Sequence, residues 1–171
     1  MDPIPITLAS GDEKFQYNNK NCDFALIDFW RWTLSDIITN TTRGMLAEFI
    51  VAIALSSNVK RPRDGWQKYD LNYRDHGIEI KSAAYHQRWK MKKMSTIQYR
   101  IRKTRGWDAQ TGKMEKDKKR QASIYILCLL SEQERKKVNP LILDQWKFWV
   151  IDAEFFNRRK RSQHSITLCN R

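Results

Sequence analysis

Cysteine and histidine are too few and too scattered to build a scaffold or a metal centre. Cys22, Cys128 and Cys169 are odd in number and far apart, which argues against a disulfide framework. No two of them have zinc-ligand spacing. His76, His86 and His164 are equally dispersed, so a histidine-rich metal site is not expected. Cys128 lies in an apolar run and reads as a core residue. No stretch is long and apolar enough to span a bilayer. Met1-Asp2-Pro3-Ile4-Pro5-Ile6 lacks a positive region followed by an apolar core, so it does not read as a signal peptide, and a cytoplasmic protein without a membrane partner is expected. There is no internal repeat and no long flexible linker.

Positive charge is abundant. The 171 residues carry 32 Lys or Arg against 19 Asp or Glu, a net charge of +13 with a pI near 9.8. Such an excess points to a polyanionic partner, either nucleic acid or an anionic surface. The plainer alternative is a generally basic protein, but the charge is unevenly placed. Residues 88–120 hold thirteen Lys or Arg and three acids (Asp108, Glu115, Asp117), a local net of +10. Trp89, Tyr99 and Trp107 are interleaved with these charges. Cations for phosphates and aromatic faces for bases make a nucleic-acid pattern, with Arg88, Lys90, Lys92, Lys93, Arg100, Arg102, Lys103 and Arg105 as the expected contacts. The competing reading is a solvated charge run, with Trp89 or Tyr99 in the core. A second basic cluster is Arg158-Arg159-Lys160-Arg161.

Hydrophobic residues make up 41% of the chain, enough for one domain with one core. The expected domain spans residues 1–171, with an irregular segment over 1–23 and a basic, partly mobile insertion over 86–121. Leu26, Ile27, Trp30, Leu34, Ile37 and Ile38 recur at helical spacing, predicting an amphipathic helix over 24–38. Asn40-Thr41-Thr42 offers capping side chains to a helix over 43–57 that is apolar almost all round, as a buried helix would be. Arg61-Pro62-Arg63-Asp64-Gly65 breaks the chain. Residues 69–73 and 78–82 read as two strands joined through Arg74-Asp75-His76-Gly77. Residues 123–130 form a near-continuous apolar run, the mark of a strand buried on both faces. Residues 146–151 read as a further strand and 152–157 as a short helix. This order predicts an α/β or α+β fold with a central sheet flanked by helices.

The hairpin carries the chemistry. With Asp70 facing Lys81, Asn72 facing Glu79 and Leu71 facing Ile80, one face displays Asp70, Asn72, Glu79 and Lys81. The other displays Tyr69, Leu71, Tyr73, Ile78 and Ile80. The opposite parity would mix the two faces, so the pattern selects this one. Two carboxylates held this close repel unless a cation lies between them, and oxygen ligands of this kind suit Mg²⁺ or Mn²⁺. Such a metal polarises a phosphodiester and acidifies a bound water, while Lys81 orients that water or stabilises charge on the phosphate. The alternative is a solvated hairpin face with a weak Asp70–Lys81 ion pair. Glu48 adds weight to the chemical reading. It is the only charged residue between Arg43 and Lys60, and its helical neighbours Met45, Val51, Ala52 and Leu55 are apolar. A carboxylate buried there needs a partner, whether a metal, Lys81 or a core hydroxyl.

A helix bearing a glutamate, a strand with an aspartate, then Glu-x-Lys on the next strand resembles the PD-(D/E)xK, or restriction-endonuclease-like, superfamily. The matching pieces are Glu48, Asp70 and Glu79-Ile80-Lys81, within residues 42–130. Residue 69 is Tyr where the motif's name has Pro. The resemblance implies a mixed sheet flanked by helices and a Mg²⁺-dependent deoxyribonuclease, in defence or DNA processing. It implies that Asp70, Glu79 and the Ile80 backbone carbonyl bind the metal, that Glu48 completes the site directly or through water, and that Lys81 assists the attacking water. A homodimer is implied too, since many nucleases of this fold cut both strands as dimers. Residues 78–89 also look like a group of small bacterial proteins of uncertain role. The competing functions are a nuclease acting on RNA and a non-catalytic nucleic-acid-binding protein that kept the fold. Carboxylates aimed at phosphates repel them without a metal, which favours catalysis over binding alone.

Overall fold

The computed structural model describes residues 4–57, 59–63, 65, 67–108, 111–158 and 165–167. Its centre is a four-stranded mixed sheet. The strands are β3 (Leu71–Tyr73), β4 (His76–Ala84), β8 (Ile124–Leu130) and β9 (Trp146–Asp152), adjacent in that order. β3 and β4 are antiparallel, β4 and β8 parallel, and β8 and β9 antiparallel. Before the sheet come β1 (Lys14–Tyr17), β2 (Lys20–Ala25), α1 (Leu26–Leu34) and α2 (Asn40–Ala54). Between β4 and β8 lie β5 (Gln98–Arg100), β6 (Trp107–Asp108) and β7 (Lys113–Met114). α3 (Ala153–Asn157) and β10 (Ser165–Thr167) end the described chain.

β8 organises the core because both of its faces are covered, as its apolar run requires. Ile126, Cys128 and Leu130 pack with Ile78, Ile80 and Ala84 of β4 against Ala47 and Val51 of α2. Leu127 and Leu129 face the other way, onto Ile97 and Tyr99, while Tyr125 meets Ile101, Ala153 and Phe156. β4 alternates in step, so Ile78 and Ile80 face α2 while Glu79 and Lys81 share the opposite face with their β8 neighbours Tyr125 and Leu127.

Several expectations are corrected. α2 is not buried all round: Ala47 and Val51 face the sheet, while Met45, Phe49 and Ile53 on its outer side are exposed. It also begins at Asn40 and closes earlier than residue 57. Ser56 takes a left-handed φ of 53°, and its N–H returns to the Ile53 carbonyl. α1 is shorter than the residue 24–38 pattern, and none of its residues is fully buried. The span read as irregular at the N-terminus contains the β1–β2 hairpin, turning through Asn18 and Asn19 in left-handed conformations. The basic span contains strands: Ile97, Tyr99 and Ile101 point inward, and β5 pairs with β10. Tyr99 is therefore a core residue, its hydroxyl donating to the Cys128 carbonyl at 3.1 Å. Among the described residues no helix is long and apolar enough to cross a membrane. Cys169, His164 and residues 159–161 of the second basic cluster lie outside the described residues.

Candidate active site

The β3–β4 turn sets the geometry of the acidic residues. Arg74 and Asp75 adopt φ values of 47° and 64°, the left-handed pair that closes a two-residue hairpin. Leu71 consequently faces Ile78, Asn72 faces Gly77 and Tyr73 faces His76. This register is two residues away from the expected one, so Leu71 does not face Ile80 and Asp70 does not face Lys81. A shift of two preserves parity, so Leu71 and Tyr73 still pack on the α2 side. Tyr69 does not join them. It lies before the strand and packs beside Tyr125 and Phe156, and its ring closes over Gly77 so tightly that a Cβ there would come within 2.5 Å.

Because β3 begins only at Leu71, the edge of β4 beyond Ile78 has no strand partner there. Asp70 fills that gap. Its backbone N–H donates to the Ile78 carbonyl at 3.0 Å, and its Oδ2 accepts the Ile80 N–H at 2.6 Å. The aspartate is thus fixed at the β4 edge by a backbone group that would otherwise be unpaired. Glu79 is mostly buried on the adjoining face and is ion-paired with Lys81. Its carboxyl is pushed above the ordinary glutamate value chiefly by burial. Lys81 opposes the rise, and Asp70 and Glu48 add to it as neighbouring negative charges. Glu48 therefore belongs to the same electrostatic group, although it comes from α2.

Glu48 reaches the group on the β3 side of the helix. Its side chain is only 13% exposed and is gripped by Arg63, with Nη2 donating to Oε1 at 3.0 Å and Nε donating to Oε2. The same Nη2 lies 4.0 Å from Asp70 Oδ1. Glu48, Arg63, Asp70 and Asn72 line one cleft of about 390 Å³. Among the described residues, no three Asp, Glu, His or Cys side chains stand as a ready metal cluster. Instead each acid is already engaged: Glu48 by Arg63, Asp70 by the Ile80 N–H, and Glu79 by Lys81.

Lys81 opens onto a second, larger cleft of about 700 Å³, also lined by Asn40, Arg43, Gln87, Gln98 and Arg100. No carboxylate of the described residues lines it. Arg43 is 2% exposed and bonds Ser82 Oγ at 3.1 Å, the Ile38 carbonyl at 2.9 Å and Asn40 Oδ1 at 2.7 Å. It ties the start of α2 to β4. Arg100 projects outward from β5, opposite in parity to buried Tyr99. Arg88, Lys90, Lys92, Lys93, Arg102, Lys103 and Arg105 are all exposed. Arg88 is paired with Asp36 at 3.0 Å. Trp89 and Trp107 keep exposed faces.

Sequence reasoning missed Arg63 and Arg43. Arg43 had a signal, as the one cation at the head of an apolar helix. Arg63 had none, since it falls in a segment legible only as a break.

The chain matches the family model described as Bacteriophage T4 endonuclease IV over residues 8–170. No curated protein and no solved structure matches it. The match takes in α2, the β3–β4 hairpin, the basic span and β8, and so includes every candidate residue above. The chain belongs to the Bacteriophage T4 endonuclease IV family.

Proposed function

We propose that the protein is an endonuclease that hydrolyses phosphodiester bonds of DNA with Mg²⁺ or Mn²⁺, through a restriction-endonuclease-like site. The observation that carries this reading is the placement of Asp70 on the β4 edge beside Glu79, with Lys81 two residues further along and Glu48 joined to Asp70 through Arg63. Family membership supports the endonuclease activity.

The residues present fit a hard divalent cation. Their donors are oxygens, the Asp70, Glu79 and Glu48 carboxylates with the Ile80 carbonyl, and the cations now beside the acids, Arg63 and Lys81, are the charges a divalent ion would replace. Asp70, Glu79 and the Ile80 backbone carbonyl would hold the metal, with Glu48 bound directly or through water. Bound there, it would polarise the phosphodiester and lower the pKa of a water.

The chain supplies the rest. Asp70 is held in place by the Ile80 N–H. Glu79, paired with Lys81, would turn its carboxylate to the metal as Lys81 moves away. Lys81, exchanging its hold on Glu79 for the incoming phosphate or water, orients the attack and stabilises developing negative charge. The cleft beside Lys81 has cations and amides but no acid along its described walls, so it accepts the sugar-phosphate flanking the bond. Arg100 lines that cleft, and Lys90, Lys92, Lys93, Arg102, Lys103 and Arg105 extend the positive surface beyond it.

The test is a cleavage screen over single-stranded DNA, duplex DNA and RNA, with Mg²⁺, with Mn²⁺ and with chelator. DNA cleavage that requires the metal and disappears in Lys81→Ala, with DNA binding retained, is the expected result. Undiminished cleavage by Lys81→Ala would overturn the assigned role.

A further inference from the structure

Arg63 stands where two of the proposed ligands meet. It comes from the loop after α2, and its guanidinium makes a two-pronged contact with Glu48. The prong that reaches Oε1 also approaches Asp70. Both oxygens of Glu48 are engaged, so a metal at this carboxylate competes with the guanidinium for them. The two partners differ in freedom. Glu48 is 13% exposed on a packed helix, whereas Arg63 is 48% exposed on a loop at the rim of the cleft. Of the two, the arginine has more room to shift. One guanidinium shared by two carboxylates is the charge arrangement that a divalent cation would satisfy with one positive charge more.

We propose that Arg63 is the resident counter-cation of the metal-free site, and that a divalent metal enters by displacing it. The inference rests on the metal-binding reading above. It makes Arg63 a positioning residue. It holds Glu48 and Asp70 on one side of the cleft against their mutual repulsion, and it sets the metal affinity by competing for the same oxygens.

Competition gives a direction and a size. A half-exposed ion pair is weak, so displacing it costs the metal about threefold to tenfold in affinity. The test is Mn²⁺ binding by calorimetry, without DNA, to the wild type, Arg63→Gln and Arg61→Ala. Arg61 lines the same cleft and its removal takes away the same unit charge, but it makes no ion pair with these acids among the described residues. Arg63→Gln should bind Mn²⁺ about threefold to tenfold tighter than wild type, and Arg61→Ala within about twofold of it. The gain in melting temperature on adding Mn²⁺ should likewise be larger for Arg63→Gln. Equal or weaker binding by Arg63→Gln, or the same gain from Arg61→Ala, overturns the proposal and leaves the metal reading standing. No Mn²⁺ binding by any of the three proteins overturns both.

Discussion

Asp70 does two jobs that two substitutions separate. Its Oδ2 accepts the Ile80 N–H at 2.6 Å, and its charge belongs to the acidic group around Glu79. Asp70→Asn keeps an oxygen for the Ile80 N–H and removes the charge. Asp70→Ala removes both and leaves a largely buried backbone donor without a partner. An unsatisfied buried donor costs about 1–3 kcal/mol, and the site is part-exposed, so about 1–2 kcal/mol is expected for Asp70→Ala. In a chain of this size that lowers the melting temperature by roughly 2–8 °C. Asp70→Asn should stay within about 0.5 kcal/mol of wild type, because the lost charge also relieves repulsion with Glu79. Both variants should lose DNA cleavage by about a hundredfold or more, the scale for removing a group that acts on the reacting centre. The assays are thermal denaturation without metal and single-turnover cleavage with Mg²⁺. If Asp70→Ala melts with Asp70→Asn, the aspartate does not secure the β4 edge. If Asp70→Asn cleaves like wild type, its charge plays no part in the chemistry.

Three further outcomes follow from the same geometry. Arg43→Met should destabilise the metal-free protein by about 1–3 kcal/mol in denaturant unfolding, since it removes three hydrogen bonds from a buried guanidinium to Ser82, Ile38 and Asn40. Arg100→Ala should weaken DNA binding and reduce the slope of log affinity against log salt by about one, the signature of one lost phosphate contact, in anisotropy titrations. Burial raises the Glu79 carboxyl above the ordinary glutamate value, so on acidification it takes up a proton earlier than an ordinary glutamate, and that proton competes with a metal. Mn²⁺ affinity should therefore decline on acidification while pH is still above the ordinary glutamate range. An affinity that holds constant until pH falls below that range contradicts the shift.

The parity of the hairpin was legible because one face is apolar throughout, and parity survives a shift of two residues. The register was not. It depends on Arg74 and Asp75 closing the turn with positive φ, where His76 and Gly77 had read as part of the loop. β8 was legible because a strand covered on both faces must be apolar on both. β5 was hidden because Tyr99 and the flanking Ile97 and Ile101 alternate with outward polar residues inside a basic run, and its partner β10 lies far along the chain. Tyr99 was open to two readings, a base-stacking ring or a core residue, for that reason. Glu48 was visible as a lone charge on an apolar helix, but its contact with Arg63 depends on how α2 rotates against the sheet, which composition does not encode. The sharing of one guanidinium by Glu48 and Asp70 is likewise a tertiary fact.

The most direct measurement is single-turnover DNA cleavage by Glu79→Gln beside wild type, with Mg²⁺, and with DNA affinity determined on the same samples. Glu79 is the acid whose surroundings tie Asp70, Lys81 and Glu48 into one group. Cleavage lost by about a hundredfold or more, with DNA affinity kept within a few-fold, is the expected result. Cleavage at the wild-type rate would place the hydrolytic site elsewhere on the protein.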